Sequence, residues 1–315
     1  MSDFCLRTPL KAPYDIALTP CSAVIPVPGT RVLRNTDLSP LSRLVRRVDA
    51  AADGAAAGDA FATGFPSIDK RLGGGVRTGD LVLIGGEVGV GKSALSLAMA
   101  LRMAQAGVNS AFFTAEMTVD RAMERVLAIE GRAKVDDIRR GALDEFARAA
   151  VGAAAVRLRD GAPIIEVVPP GGIQTFSDAL RRTLDVQVAF VDPVQSLTLG
   201  VRAHDEELSV AIRGLKALAV QTGTVIVATV DLPGLPADRP DQRPVLADFG
   251  GLGAPKQYAD VVLGVYREEM ASPGAGLEGA TELLVLKNRN GGTGYVDLYF
   301  YKQWLRFEDM LDPDR

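Results

Sequence analysis

The chain has 315 residues, 47% of them hydrophobic, which supplies a sizeable core and is enough for one or two domains. A formal net charge of −4 excludes a surface coated with nucleic-acid-binding charge and confines any DNA contact to a local patch. Cys5 and Cys21 form no Cys-x-x-Cys pair, and no apolar stretch approaches the roughly 18 residues of a membrane span, so a reducing cytoplasm and no membrane partner are expected.

The first 38 residues are rich in proline (Pro9, Pro13, Pro20, Pro26, Pro28) and lack periodicity, which predicts an extended arm. Ser39-Pro40 reads as a helix start. Leu41, Leu44, Val45 and Val48 follow at helical spacing, with Arg43, Arg46 and Arg47 opposite, so a short amphipathic helix is predicted over about 40–49. Residues 50–60, rich in alanine and glycine, read as a linker. The expected division is therefore an arm, helix and linker over 1–60 and one domain over 61–315.

Residues 61–79 form a turn-rich approach containing the triple glycine Gly73, Gly74 and Gly75. An apolar strand at 81–84 then leads into Gly86-Glu87-Val88-Gly89-Val90-Gly91-Lys92-Ser93, and a helical pattern opens at Ala94. Glycine, four residues, then Gly-Lys-Ser between a strand and a helix is a phosphate-binding loop. Gly89 and Gly91 let the backbone approach the phosphates, Lys92 reaches the β and γ oxygens, and the Ser93 hydroxyl holds magnesium.

A second strand at 110–115 delivers Glu116 to its end, and helical spacing resumes over 117–129. Residues 131–160 read as helical and basic on one side, a solvated face. A strand at 164–168, a helix at 175–184 and a strongly apolar strand at 186–191 ending in Asp192 follow. His204 and Arg202 are expected in the loop before a helix at 206–221, and strands are predicted at 225–230, 261–266, 282–287 and 295–301. Strands that first alternate with helices and then crowd together predict an α/β fold. Its central sheet is mainly parallel, with helices on both faces and antiparallel C-terminal strands at one edge.

Nucleotide hydrolysis needs a carboxylate for the metal and a group that orients water. Asp192, at a strand's C-terminal end, is suited to hold Mg2+ through water beside Ser93, and Glu116 is suited to accept a proton from the attacking water.

Several stretches together resemble the C-terminal motor domain of DnaB-type replicative helicases over residues 61–309. They are Thr63-Gly64-Phe65-Pro66-Ser67-Ile68-Asp69, the phosphate loop, Phe112-Phe113-Thr114-Ala115-Glu116-Met117, Leu215-Lys216-Ala217-Leu218-Ala219, Ala259-Asp260-Val261-Val262 with Tyr266-Arg267-Glu268-Glu269, and Lys287-Asn288-Arg289-Asn290-Gly291. The resemblance implies a RecA-like P-loop fold, ATP and Mg2+ as cofactors, and a hexameric ring that moves along single-stranded DNA. It implies that Lys287 and Arg289 complete the site of the next subunit, that Gln195 belongs to the nucleotide site, and that the 40–49 helix packs on a neighbour. The family's N-terminal primase-interacting domain has no counterpart in residues 1–38, so primase contact by that route is not expected.

Two departures stand out. The family's Ser-Gln γ-phosphate sensor is replaced by Val230-Asp231, and its channel-facing Arg-Glu-Ser by Gly250-Gly251-Leu252. The expected DNA contacts become the backbone of Gly250, Gly251 and Gly253 with the charges of Lys256 and Arg202. The phosphate loop is also similar to those of RadA and KaiC relatives, which leaves a recombination or regulatory ATPase open. A nucleotide-gated assembly protein without unwinding activity is open too.

Overall fold

The structure is a computed structural model and describes residues 39–52, 59–234, 238–271, 274 and 277–310. The proline-rich arm, both cysteines and linker residues 53–58 lie outside the described residues. The chain divides into two units between residues 55 and 56.

In the first unit, α1 (Pro40–Ala52) starts where Ser39 Oγ accepts the Ser42 N–H at 3.2 Å, with proline at the first helical position. The helix runs beyond its predicted end because the alanines at 50–52 are strong helix formers. Leu41, Leu44, Val45 and Val48 are all exposed on it.

The second unit opens with a small antiparallel ribbon of β1 (Ala60–Phe61) and β2 (Val76–Arg77) around α2 (Pro66–Leu72). Gly75 is required there: at φ +112° any Cβ would lie 2.1 Å from the Phe61 carbonyl oxygen. The chain continues through β3 (Leu81–Gly86), α3 (Lys92–Gln105), β4 (Ser110–Thr114), α4 (Val119–Gly131), α5 (Val135–Arg140), α6 (Glu145–Gly161), β5 (Ile164–Val167), α7 (Ile173–Arg182) and β6 (Val188–Asp192). It ends with α8 (His204–Thr222), β7 (Val225–Asp231), α9 (Ala254–Tyr258), β8 (Val261–Tyr266), α10 (Glu268–Ala271), β9 (Ala280–Asn288), β10 (Gly294–Tyr301) and β11 (Arg306–Asp309).

Nine strands make one sheet in the order β11-β10-β9-β8-β3-β7-β6-β4-β5. The six from β8 to β5 in that order are parallel, and β9, β10 and β11 extend one edge antiparallel, as the strand spacing predicts. Side chains alternate across a strand, so the fully buried β3 feeds two cores. Val82 and Ile84 join Leu95, Phe112, Phe190 and Phe307 on one face; Leu81 and Leu83 join Phe113, Phe176, Leu215 and Phe249 on the other.

The structure shifts several sequence boundaries. The 131–160 segment is two helices, because Gly141 takes a left-handed conformation and Asp144 caps a new start by accepting the Ala147 N–H at 2.7 Å. Its basic face is partly paired, Arg157 with Glu130 and Arg139 with Glu124 on α4. His204 is the first residue of α8 rather than a loop residue. The short strand β11 carries little apolar signal in the sequence, since only Phe307 among its four residues is buried; its ring stacks on Phe300 at 4.4 Å beneath Gly91.

Candidate functional site

Parallel strands end together, and ligand sites of open α/β sheets form at their carboxyl ends. The ends of β3, β7, β6 and β4 accordingly bring the 86–93 loop, Asp231, Asp192 and Glu116 to one edge. Gly86 is still strand, and its neighbours leave no room for a side chain: a Cβ there would meet Val90 at 2.8 Å and the Val265 carbonyl oxygen at 2.9 Å. Glu87, Val88 and Gly89 form the loop's outer turn, with Val88 and Gly89 exposed, while Val90 turns into the core. Gly91, at φ 111°, caps α3 and directs the helix N-terminus at the loop.

Lys92 is almost wholly buried, and its ammonium folds back over the loop. It donates to Gly86 O at 3.0 Å and Glu87 O at 2.9 Å, and pairs with Asp231 Oδ1 at 2.8 Å. The Ser93 hydroxyl donates to Asp192 Oδ1 at 2.9 Å, and Thr229 Oγ1 donates to the same oxygen at 2.5 Å. The other oxygen, Oδ2, is buried with no hydrogen-bond partner. Burial raises the Asp192 pKa against the lowering effect of the Thr229 and Ser93 hydrogen bonds. A buried carboxylate oxygen without a partner, beside a serine hydroxyl, fits a hydrated Mg2+, which keeps most of its waters and takes only one or two protein oxygens. Among the described residues no group of three or more His, Cys, Asp or Glu forms a metal cage.

Glu116 lies just past β4, its N–H bonded to Thr114 Oγ1 at 3.2 Å. Desolvation at the strand ends, then the charges of Asp192 and Asp231, raise its pKa, with Lys92 and Arg125 opposing. A raised pKa makes the ionised carboxylate a stronger proton acceptor. Gln195 clamps the end of β7: its Nε2 donates to Asp231 O at 2.9 Å and its Oε1 accepts the Asp231 N–H at 3.3 Å.

The sequence marks Asp231 only as part of a replaced sensor pair, with no role of its own, and gives Thr229 none. The position where a sensor is replaced holds a carboxylate on the lysine itself. Thr229 left one signal, a single hydroxyl in the middle of an apolar strand.

Lys287 and Arg289 are not at this edge. They sit at the opposite end of the sheet, around Asp260, which precedes β8. Asp260 Oδ2 accepts the Leu81 N–H at 2.8 Å and pairs with Lys216 at 2.5 Å, and Oδ1 pairs with Arg289 Nε at 3.1 Å. Lys287 donates to the carbonyls of Lys256 and Ala259, and burial, then Arg289, lowers its pKa. Arg289 remains half exposed. Leu81 and Gly86 are the two ends of β3, so the groups are separated by roughly 17 Å of strand at about 3.3 Å per residue.

The expected DNA contacts do not all gather in one place: Gly250 and Gly251 pack against the start of α8, which Arg202 precedes, whereas Lys256 on α9 offers its carbonyl to Lys287. Residues 250–253 all have positive φ, and Gly251 donates its N–H to Asp205 Oδ1 at 3.0 Å. Gly250 N–H goes to Ala247 O and Gly253 N–H to Gly250 O. All three amides are thus engaged within the fold, leaving the exposed Lys256 and Arg202 side chains as the cationic groups. The Arg202 backbone is held by Glu207, whose carboxylate accepts the N–H groups of Leu199, Val201 and Arg202 and is kept below the ordinary range by them, Leu199 first. The loop is tied to the phosphate site through Phe249, whose ring lies over Gly85 of β3. No helix of the described residues is long and apolar enough to cross a membrane.

Comparison with known proteins accords with this layout. A sequence model of the DnaB-like helicase C terminal domain matches residues 60–309. The chain is 29% identical over 254 residues to the replicative DNA helicase DnaB of Leifsonia xyli, covering 79% of this chain and 55% of that protein. It is 32% identical over 260 residues to that of Treponema pallidum, covering 78% and 55%. It therefore spans about half the length of the curated relatives it matches. Among solved structures, the ATPase domain of G40P superposes with a TM-score of 0.76 at 21% identity, covering 87% of this chain and all of that one. A DnaB-like replicative helicase, solved in a study of its interactions with primase, gives 0.75 at 22% identity, covering 87% and 68%. The chain belongs to the DnaB-like helicase C-terminal domain family.

Proposed function

We propose that this chain binds ATP with Mg2+ at the 86–93 loop and hydrolyses it at the interfaces of a head-to-tail ring, using the energy to move along single-stranded DNA. The observation that carries the reading is the division of labour across the sheet. Lys92, Ser93, Asp192 and Glu116 share one edge, and the half-exposed Arg289 stands at the other. One chain cannot close that gap, whereas a heterologous contact between copies can. In the site, Ser93 and Asp192 hold the metal, which neutralises charge on the phosphates when bound. Glu116 orients water and takes its proton, and Arg289 of the next copy, with Lys287 behind it, stabilises the transferring phosphoryl group. Lys256 and Arg202 provide the phosphate-tracking charge.

Asp205 favours a second reading, a nucleotide switch that does not unwind DNA, because it takes up the Gly251 amide and adds negative charge where a strand would pass. One assay separates the two. ATP turnover is measured with and without single-stranded DNA, alongside unwinding of a forked duplex, for the native chain and Lys92→Ala. The motor reading expects DNA-stimulated turnover and strand separation, both lost in K92A. Turnover indifferent to DNA, with the fork intact, sinks the motor and leaves the switch.

A further inference from the structure

We propose that Asp231 occupies the γ-phosphate's place on Lys92, so that this carboxylate sets the site's preference between tri- and diphosphate nucleotides. The inference rests on the ATP-binding reading above and concerns a residue to which that reading gives no role.

A lysine ammonium has three N–H donors. In Lys92 all three are committed, to Gly86 O, Glu87 O and Asp231 Oδ1. A phosphate chain lying in the loop places its β and γ oxygens on this ammonium. One existing partner must leave for each phosphate oxygen that arrives. The two carbonyls belong to the loop backbone; Asp231 is the only partner that is a side chain and the only one carrying charge.

The backbone of Asp231 is fixed, so its carboxylate leaves Lys92 only by turning its own side chain. That backbone pairs with Gly86 across β3 and β7, and both its N–H and C=O are bonded to Gln195. A γ-phosphate on Lys92 therefore forfeits an ion pair and leaves an unpartnered carboxylate close to its own negative charge. Asp192 and Glu116 already crowd the same edge; burial chiefly raises the pKa of each, and the nearby charge of Asp231 adds to it. A diphosphate brings only its β-phosphate to the ammonium and takes one of the three donors, so a loop carbonyl yields and the Asp231 contact persists. The carboxylate thus penalises the triphosphate selectively, and it recaptures Lys92 when the cleaved phosphate departs.

The test is equilibrium binding of a non-hydrolysable ATP analogue and of ADP, each with Mg2+, to the native chain, Asp231→Asn and Asp231→Ser. Asn keeps the shape and removes the charge; Ser guards against an Asn variant that packs badly. The expected result is that either substitution tightens the triphosphate analogue about tenfold or more while ADP changes less than about threefold, since only one ligand meets the charge directly. Equal shifts for both ligands, or weaker triphosphate binding, would overturn the role of Asp231 with ATP binding itself intact. Absence of binding by either nucleotide in the native chain would overturn the ATP site and this inference together.

Discussion

Ser93 and Asp192 meet across 2.9 Å at the carboxyl edge of the sheet, and the bond uses only one of the two carboxylate oxygens. Thr229 shares that oxygen, and the other is buried without a partner. An ionised carboxylate so placed costs stability, because its native pKa is raised above the unfolded value. The sign follows. The penalty is absent below the ordinary carboxylate pKa and grows as pH rises through the raised one.

Asp192→Asn therefore has an expected signature that a purely structural residue would not give. The melting temperature at neutral pH stays level or rises, while the Mg2+ needed for half-maximal turnover increases more than about tenfold. Parallel thermal melts and metal titrations read the two quantities. A large loss of stability with unchanged metal dependence would mean that Asp192 is there to hold strands together.

Glu116→Gln is expected to bind nucleotide normally and to lose turnover by about 10² to 10⁴. In the proposed role Glu116 acts ionised, so activity is expected to fall as pH drops through its pKa. Because desolvation and then Asp192 and Asp231 raise that pKa, the acid limb of kcat/KM should lie above the ordinary glutamate value of 4.5. Asp231→Asn removes one of the raising charges and should move the limb to lower pH. A pH profile that ignores Asp231 would argue against Glu116 as the proton acceptor.

The coupling between the phosphate strand and the loop at 246–253 rests on a contact that tolerates no added atom. A Cβ at Gly85 would fall 2.3 Å from Cε1 of Phe249. Gly85→Ala should cost about 1 to 3 kcal/mol by overpacking, and Phe249→Leu in the same chain should recover part of it. Denaturant unfolding of the two single variants and the double variant measures the coupling. Additive losses would show that ring and glycine are independent.

Much of this was readable in the residues, and the reason is locality. The phosphate loop, the apolar parallel strands and the strand-end positions of Asp192 and Glu116 are encoded within short stretches by spacing alone. What escaped depends on register between distant strands. Asp231 reaches Lys92 only because β7 lies beside β3, and Thr229 reaches Asp192 only because β7 also borders β6. The hub at Asp260, which gathers Leu81, Lys216 and Arg289, is equally a product of pairing. The glycine loop was misleading for a related reason: its amides look available in sequence, yet Asp205, 46 positions earlier, takes up Gly251.

The central claim is a catalytic site shared between copies, with Lys92 from one chain and Arg289 from the next. Its most direct test is turnover by mixtures of two disabled chains, Lys92→Ala and Arg289→Ala. Each alone should be inactive, the arginine variant slower by about 10³ to 10⁵. In a random head-to-tail ring about one interface in four combines an intact lysine with an intact arginine. Mixing the two should therefore restore about a quarter of native turnover. A mixture as inactive as its components, or an Arg289→Ala chain that hydrolyses ATP at the native rate, would contradict the account.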